Sequence, residues 1–267
     1  MIGFNLQANG IRQHLLRFEG NGPPLIVIPG ITSPAISWDF IADPLSDWFD
    51  VYVLDVRGRG LSQGGDLDYS LDVLAADVIE VVMALGLSRP RVLGHSMGAR
   101  VAIRASVQAP YAIGDLILVD PPVSGPGRRP YPSPWSWYED SIRLAERGCS
   151  AEEMKDYCPS WSDSQLACRA EWLHTCDLEA IRTAYDGFHT DDIHKDLPDI
   201  TASMCLMVAA DAPVIETTDI EEILSLNPTI NVKVVEKAGH MIPWDNLEGF
   251  LSAVESCQFH LVQKNKE

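Results

Sequence analysis

Short apolar runs alternate with longer amphipathic stretches along much of the chain. Leu25-Ile26-Val27-Ile28, stopped by Pro29-Gly30, has the length and composition of a buried strand. Val51 to Leu54 reads the same way and ends in Asp55 and the glycine-rich Arg57-Gly58-Arg59-Gly60. Apolar residues then recur at 71, 74, 75, 78, 82 and 85, a helical stripe for which Gly86 supplies a C-cap. A further strand leads from Val92 into Gly94-His95-Ser96-Met97-Gly98, and a helix follows to about Ala109. Leu116 to Val119 is the next buried strand and ends at Asp120. This alternation predicts an α/β fold: a mostly parallel sheet with helices on both faces.

The rhythm breaks after Asp120. Residues 121–134 are rich in proline and glycine, and 135–195 carry helical patterns without a strand candidate. Four of the seven tryptophans fall there: Trp135, Trp137, Trp161 and Trp172. The alternation resumes with a strand at Met204 to Val208, a helix near 218–226, a strand at Val232 to Val235 and a last helix from about Asn246. The simplest division is a core of 1–120 and 196–267 with a helical cap of 121–195 inserted after one strand. A cap over the strand ends would enclose a site and exclude water.

Composition narrows the function. A chain of 267 residues suits one large α/β domain or one domain with an insertion. Its net charge of −18 argues against nucleic acid or an anionic membrane as partner, while local arginines can still hold a small anionic substrate. The six cysteines form no C-x-x-C pair and no zinc-spaced cluster, so no metal is expected, and reduced thiols in a cytoplasmic protein are the expectation. The opening MIGFNLQANGIRQH has no basic start followed by an apolar core, so no signal peptide is expected. No apolar stretch has the length of a membrane span. Oligomeric state is not legible in the sequence.

Gly94-x-Ser96-x-Gly98 stands where a strand must turn sharply into a helix. Small residues at such a corner allow strained angles and close approach, and the product is a serine hydroxyl held clear of the sheet. A serine hydroxyl needs a base, and the base needs an orienting carboxylate. Of the seven histidines, His95 adjoins the serine and reads as structural, and His14 precedes the predicted core strands. His174, His189 and His194 fall in the cap segment and His260 in the tail. His240 follows the last strand in Ala238-Gly239-His240-Met241, the right order and the right end of the sheet for the base. The acid has two candidates, Asp120 after the fourth predicted strand and Asp211 after Met204–Val208; three positions past Ala210 stands Pro213, which cannot orient a histidine. Two N–H donors are needed for an oxyanion: Met97 beside the nucleophile, and Ile31 in the loop after Ile28. Arg128, Arg129 and Arg100 are candidates for holding a substrate carboxylate, with Arg57 and Arg59 read as bracing the sheet edge.

These features together resemble the α/β-hydrolase superfamily. "ANGIRQH", "PGITSPAISWDF", "YVLDVRGRGLS", "LVDPPVSGPGRR", "RAEWLHTC", "DIHKDLP" and "GHMIPWD" resemble, more narrowly, the N-formylmaleamate deformylases of bacterial nicotinate breakdown. That resemblance implies a cofactor-free amidohydrolase that cleaves N-formylmaleamate to maleamate and formate. It also implies a triad on Ser96, Asp120 and His240. The elbow and triad alone do not separate this chemistry from a carbon–carbon bond hydrolase or carboxylesterase of the same fold. A cofactor-free dioxygenase fits less well, since the serine is retained, and a non-catalytic ligand-binding protein on the same scaffold is the alternative of another class. A haloalkane dehalogenase would need aspartate where Ser96 stands.

Overall fold

The computed structural model describes residues 1–257, so His260 lies outside them. The chain opens with an antiparallel hairpin, β1 (Ile2–Ala8) and β2 (Ile11–Phe18), that the apolar pattern does not predict. β1 is mostly solvent-facing, and β2 carries Arg12, His14 and Arg17 among its apolar residues. The missed signal is Asn9-Gly10, at φ 49° and 75°, because a two-residue hairpin turn needs left-handed residues. His14 therefore does not precede the core strands but lies within one of them, buried, with Nδ1 2.9 Å from Asp55 Oδ2.

The predicted strands follow: β3 (Pro24–Ile28), β4 (Asp50–Leu54), β5 (Arg91–His95), β6 (Leu116–Val119), β7 (Met204–Ala209) and β8 (Asn231–Val235). They form one eight-stranded sheet in the order β1-β2-β4-β3-β5-β6-β7-β8. The pairs β1–β2 and β2–β4 are antiparallel and every later pair is parallel. The near-continuous apolar runs in β3, β5, β6 and β7 are explained by burial on both faces. Between the first strands and β5 come α1 (Asp39–Leu45) and α2 (Leu71–Ala84); Gly86, at φ 66°, ends the latter turn. The helix after β5 is α3 (Met97–Gln108), which packs on α2 and on β3, β5 and β6.

Between β6 and β7 the chain adds four helices and no strand: α4 (Trp135–Glu146), α5 (Ala151–Met154), α6 (Asp163–Trp172) and α7 (Leu178–Thr190). Their starts have local causes. Ser150 with Glu153, and Ser162 with Gln165, form capping boxes, and Asp177 accepts the first N–H groups of α7. Three short helices complete the described residues: α8 (Thr217–Leu226) after β7, then α9 (Ile242–Asp245) and α10 (Leu247–Ser256) after β8. No helix among the described residues is long and apolar enough to cross a membrane.

Buried guanidinium groups join the helical segment to the sheet. Arg100 donates to the carbonyls of Pro122, Ser124, Gly187 and Asp191, and Arg59 to those of Ile31, Arg57 and Ala180. Burial pushes both guanidinium groups down to about 10. Arg104 pairs with Asp196 and Asp72. The thiols depart from the sequence expectation: Cys205 in β7 is disulfide-bonded to Cys257 after α10, while Cys149, Cys158, Cys168 and Cys176 are free. Spacing could not show this pair, because 52 residues separate two cysteines that only the packing of α10 brings together.

The Arg100 junction makes a stability prediction. Arg100→Ala leaves the carbonyls of Pro122, Ser124, Gly187 and Asp191 without their donor, the first two of them in buried bonds. The variant should lose more than about 2 kcal/mol in urea unfolding. A loss under about 0.5 kcal/mol, typical of surface changes, would show that those carbonyls find other donors.

Candidate active site

The corner between β5 and α3 is built by what its glycines lack. A Cβ on Gly94 would overlap the Gly98 carbonyl, and one on Gly98 would overlap the carbonyl of Ile28 in β3. With neither present, Ser96 takes φ 54°, ψ −118°, between strand and helix. Such a conformation is costly for a non-glycine residue and persists only where its surroundings over-determine it. Here Ser96 N–H donates to the Val119 carbonyl at 2.8 Å, tying the corner to the neighbouring strand.

That neighbour ends one residue later at Asp120, also at positive φ (45°) and fully buried. Its Oδ2 lies 2.7 Å from His240 Nδ1, and its Oδ1 accepts the Ala209 N–H at 3.2 Å. His240 Nε2 lies 2.9 Å from Ser96 Oγ. A carboxylate can only accept from Nδ1, so the imidazole carries its proton there and presents Nε2 as an acceptor to the serine. The structure thus brings Ser96, His240 and Asp120 into one hydrogen-bonded line from three strand ends. Asp211, the other acid weighed, is exposed; its N–H donates to the Ala238 carbonyl.

Ile31 and Met97 flank the serine. Met97 opens α3, where the first N–H groups have no intrahelical acceptor. The Gly30-Ile31 peptide runs against the elbow so closely that a Gly30 Cβ would stand 3.6 Å from Ser96 Cβ and 3.0 Å from His95 Nδ1. The Ile31 carbonyl is drawn away by Arg59 Nε, at 3.2 Å.

Ser96 and His240 open onto a cavity of about 280 Å³. Its walls are Gly30 to Ser33 from the core and Tyr131, Trp137, Tyr138, Tyr157, Trp161 and Arg169 from the segment between β6 and β7. Burial raises the phenols of Tyr131 and Tyr138, which therefore stay neutral, and their hydroxyls meet at 3.4 Å. None of the arginines weighed from the sequence lines this cavity. Arg128 pairs with Glu222 and Arg129 with Asp219 and Glu216; Arg100 serves carbonyls, and Arg57 forms a buried fork on Asp77. The arginine that does line it, Arg169, sits in α6 and had no local signal beyond its place in "RAEWLHTC". A helical residue's neighbours across a cavity depend on how the helix docks, which spacing cannot give.

A family model described as the alpha/beta hydrolase family matches residues 25–253. The chain belongs to the α/β-hydrolase family. It is 58% identical over 254 residues to the N-formylmaleamate deformylase of Pseudomonas putida, covering 95% of each chain. A solved structure of an N-formylmaleamic acid deformylase from Pseudomonas putida superposes with a TM-score of 0.93 at 60% identity, over 95% of this chain and all of that one. The structure of E-2-(acetamidomethylene)succinate hydrolase, 20% identical over 95% of this chain and 97% of its own, shares the fold with a TM-score of 0.78.

This α/β-hydrolase holds its histidine loop from beneath and from the side. His95 Nε2 donates to the His240 carbonyl at 3.0 Å, with the two rings 5.2 Å apart, so the histidine read as structural supports the one beside the serine. Asp245 accepts the Gly239 N–H at 3.0 Å and the Ser160 hydroxyl at 3.2 Å, linking this loop to the helical segment. Trp244 stacks on Trp161 at 5.5 Å and meets Trp38 edge-on at 5.3 Å.

Full burial, aided by the nearby His240, pushes His95 down to about 3 from an ordinary 6.5. A depressed histidine folds neutral, so the unfolded chain binds more protons below pH 6.5. Stability should therefore fall as pH drops from about 6.5 toward 3, by about 2 kcal/mol at pH 5 from this group. Urea unfolding at pH 7 and pH 5 should show that loss in the parent protein and not in His95→Gln. Equal pH slopes in the two proteins would show that His95 is not the group responsible.

Proposed function

We propose that this hydrolase cleaves N-formylmaleamate to maleamate and formate, with Ser96 as nucleophile, His240 as general base and acid, and Asp120 as orienting carboxylate. The observation that carries the reading is the line Asp120–His240–Ser96, at 2.7 and 2.9 Å, in a chain so similar over its whole length to a deformylase. The aromatic-walled cavity suits a small planar substrate. We read residues 121–195 as a cap over a core of 1–120 and 196–267. A cytoplasmic setting and independence of metal or organic cofactor are part of the same proposal.

In the mechanism, Ser96 Oγ attacks the formyl carbon while its proton passes to His240 Nε2. Asp120 stabilises the imidazolium that forms. The N–H groups of Met97 and Ile31 receive the oxyanion. As the carbon–nitrogen bond breaks, His240 returns the proton to the departing nitrogen and maleamate leaves. That nitrogen is flanked by a second carbonyl, so it departs more readily than an ordinary amine. A water then attacks the formyl ester, giving its proton to His240. Collapse of this second adduct passes that proton to Ser96 and releases formate.

Incubation with N-formylmaleamate should release one formate per maleamate, and Ser96→Ala should abolish release by several orders of magnitude while keeping the unfolding transition. No formate from the parent protein would sink the substrate assignment. The acid is tested separately. Asp120→Asn should cut kcat by about 10⁴, as loss of an orienting carboxylate does in serine proteases, while Asp211→Asn leaves it within a few-fold. The opposite pattern would move the acid to the strand beyond.

A further inference from the structure

A cation lining the cavity stands outside the Asp120–His240–Ser96 line. Arg169 is 6% exposed and lines the cavity, yet its Nε has no partner. Its terminal nitrogens reach only Thr32, at 3.5 Å to the carbonyl and 3.4 Å to the hydroxyl, too long for strong bonds. Every other buried arginine is answered. Arg57 has Asp77, Arg104 has Asp196 and Asp72, and Arg59 and Arg100 are surrounded by carbonyls. Asp245, the one carboxylate lining the cavity among the described residues, is already engaged by Gly239 and Ser160.

Taking a guanidinium out of water without a counter-charge is costly, and such a group is retained where something else supplies the anion. Trp137 and Trp161 offset part of that cost. Their rings lie 5.1 and 5.6 Å from the guanidinium carbon, within cation–π range, and they fix its plane. What remains is a rigid fork of donors facing a cavity that also holds Ser96. A planar carboxylate matches that fork bidentately. In a chain of net charge −18, a local cation is also what gathers an anion against the overall field.

We infer that Arg169 is the anion subsite of this cavity and selects short monoamides of dicarboxylic acids whose free carboxylate lies at the end remote from the cleaved bond. The identity of the cleaved group rests on the deformylase reading; the anion subsite does not. A neutral substrate would leave Arg169 buried and unpaired, so the site rejects it as well as failing to attract it.

The test compares N-formylmaleamate with its methyl ester, reading the ratio of kcat/KM for acid over ester. The parent protein should favour the acid by about 10² or more, and Arg169→Ala should bring the ratio near one. Arg169→Lys, which keeps the charge and loses the fork, should fall between. A purely structural role would lower both substrates alike and leave the ratio unchanged, which would overturn the inference. A second arm uses p-nitrophenyl acetate as a reporter of Ser96 and maleate as the competing anion. Maleate should inhibit the parent competitively, and its inhibition constant should rise at least about 10²-fold in Arg169→Ala. An unchanged constant would also overturn the inference. If the parent releases no formate while maleate still inhibits through Arg169, the substrate reading fails and the subsite stands.

Discussion

The van der Waals contact between the backbone of Gly98 and the carbonyl of Ile28 sets the rest of the site. Because no side chain intervenes, α3 can begin directly behind β3 and β5, and Ser96 must occupy the corner with a left-handed backbone. That corner aims the hydroxyl off the end of the sheet and leaves the Met97 N–H beside it. The same closeness brings the Gly30-Ile31 turn against the elbow, again through a missing side chain. The placing of Ser96 and of the Met97 and Ile31 backbone beside it is thus a consequence of one packing contact.

Around that contact the structure spends buried polar groups on fixing loops. Asp120 is held by the Ala209 N–H, so its second oxygen faces His240 in one orientation. His240 sits on His95, whose neutrality is enforced by burial, and beside Asp245, whose carboxylate holds the loop backbone. Each satisfied group removes a rotational option from the next. Orientation is gained before substrate arrives, which is where enzymes of this kind find much of their rate.

The helical segment after β6 supplies much of the cavity wall. It contributes tyrosine and tryptophan faces, and a guanidinium that pairs with no carboxylate, to a cavity onto which Ser96 and His240 open from the strand ends. Its attachment is polar as well as apolar: Arg100 and Arg104 of α3 reach across to it. Ser96 and His240 on one side, and the aromatic rings and Arg169 on the other, are therefore carried by separate parts of the chain and meet only where these pack.

Much of this architecture was legible in the chain itself. Apolar runs marked six strands; in β3 to β7 burial on both faces permits only such runs, whereas β8 shows the run although it lies largely exposed. The elbow glycines and the histidine after the last strand marked Ser96 and His240, which the structure brings within 2.9 Å, because local backbone geometry and chain order constrain them. The hairpin of β1 and β2 escaped, since a solvent-facing strand leaves a weak apolar pattern; its one local signal was Asn9-Gly10. Asp120 was favoured over Asp211 by the resemblance and by Pro213 standing where the other acid would fall, while the contact itself is made by the sheet, whose register sets the Asp120 carboxylate against His240. Arg169 and the Cys205–Cys257 pair were decided by tertiary structure alone. Local sequence determines where the backbone turns and which faces are apolar. Which side chain from a distant helix reaches the cavity depends on how the helices dock, and no spacing within the chain encodes that directly.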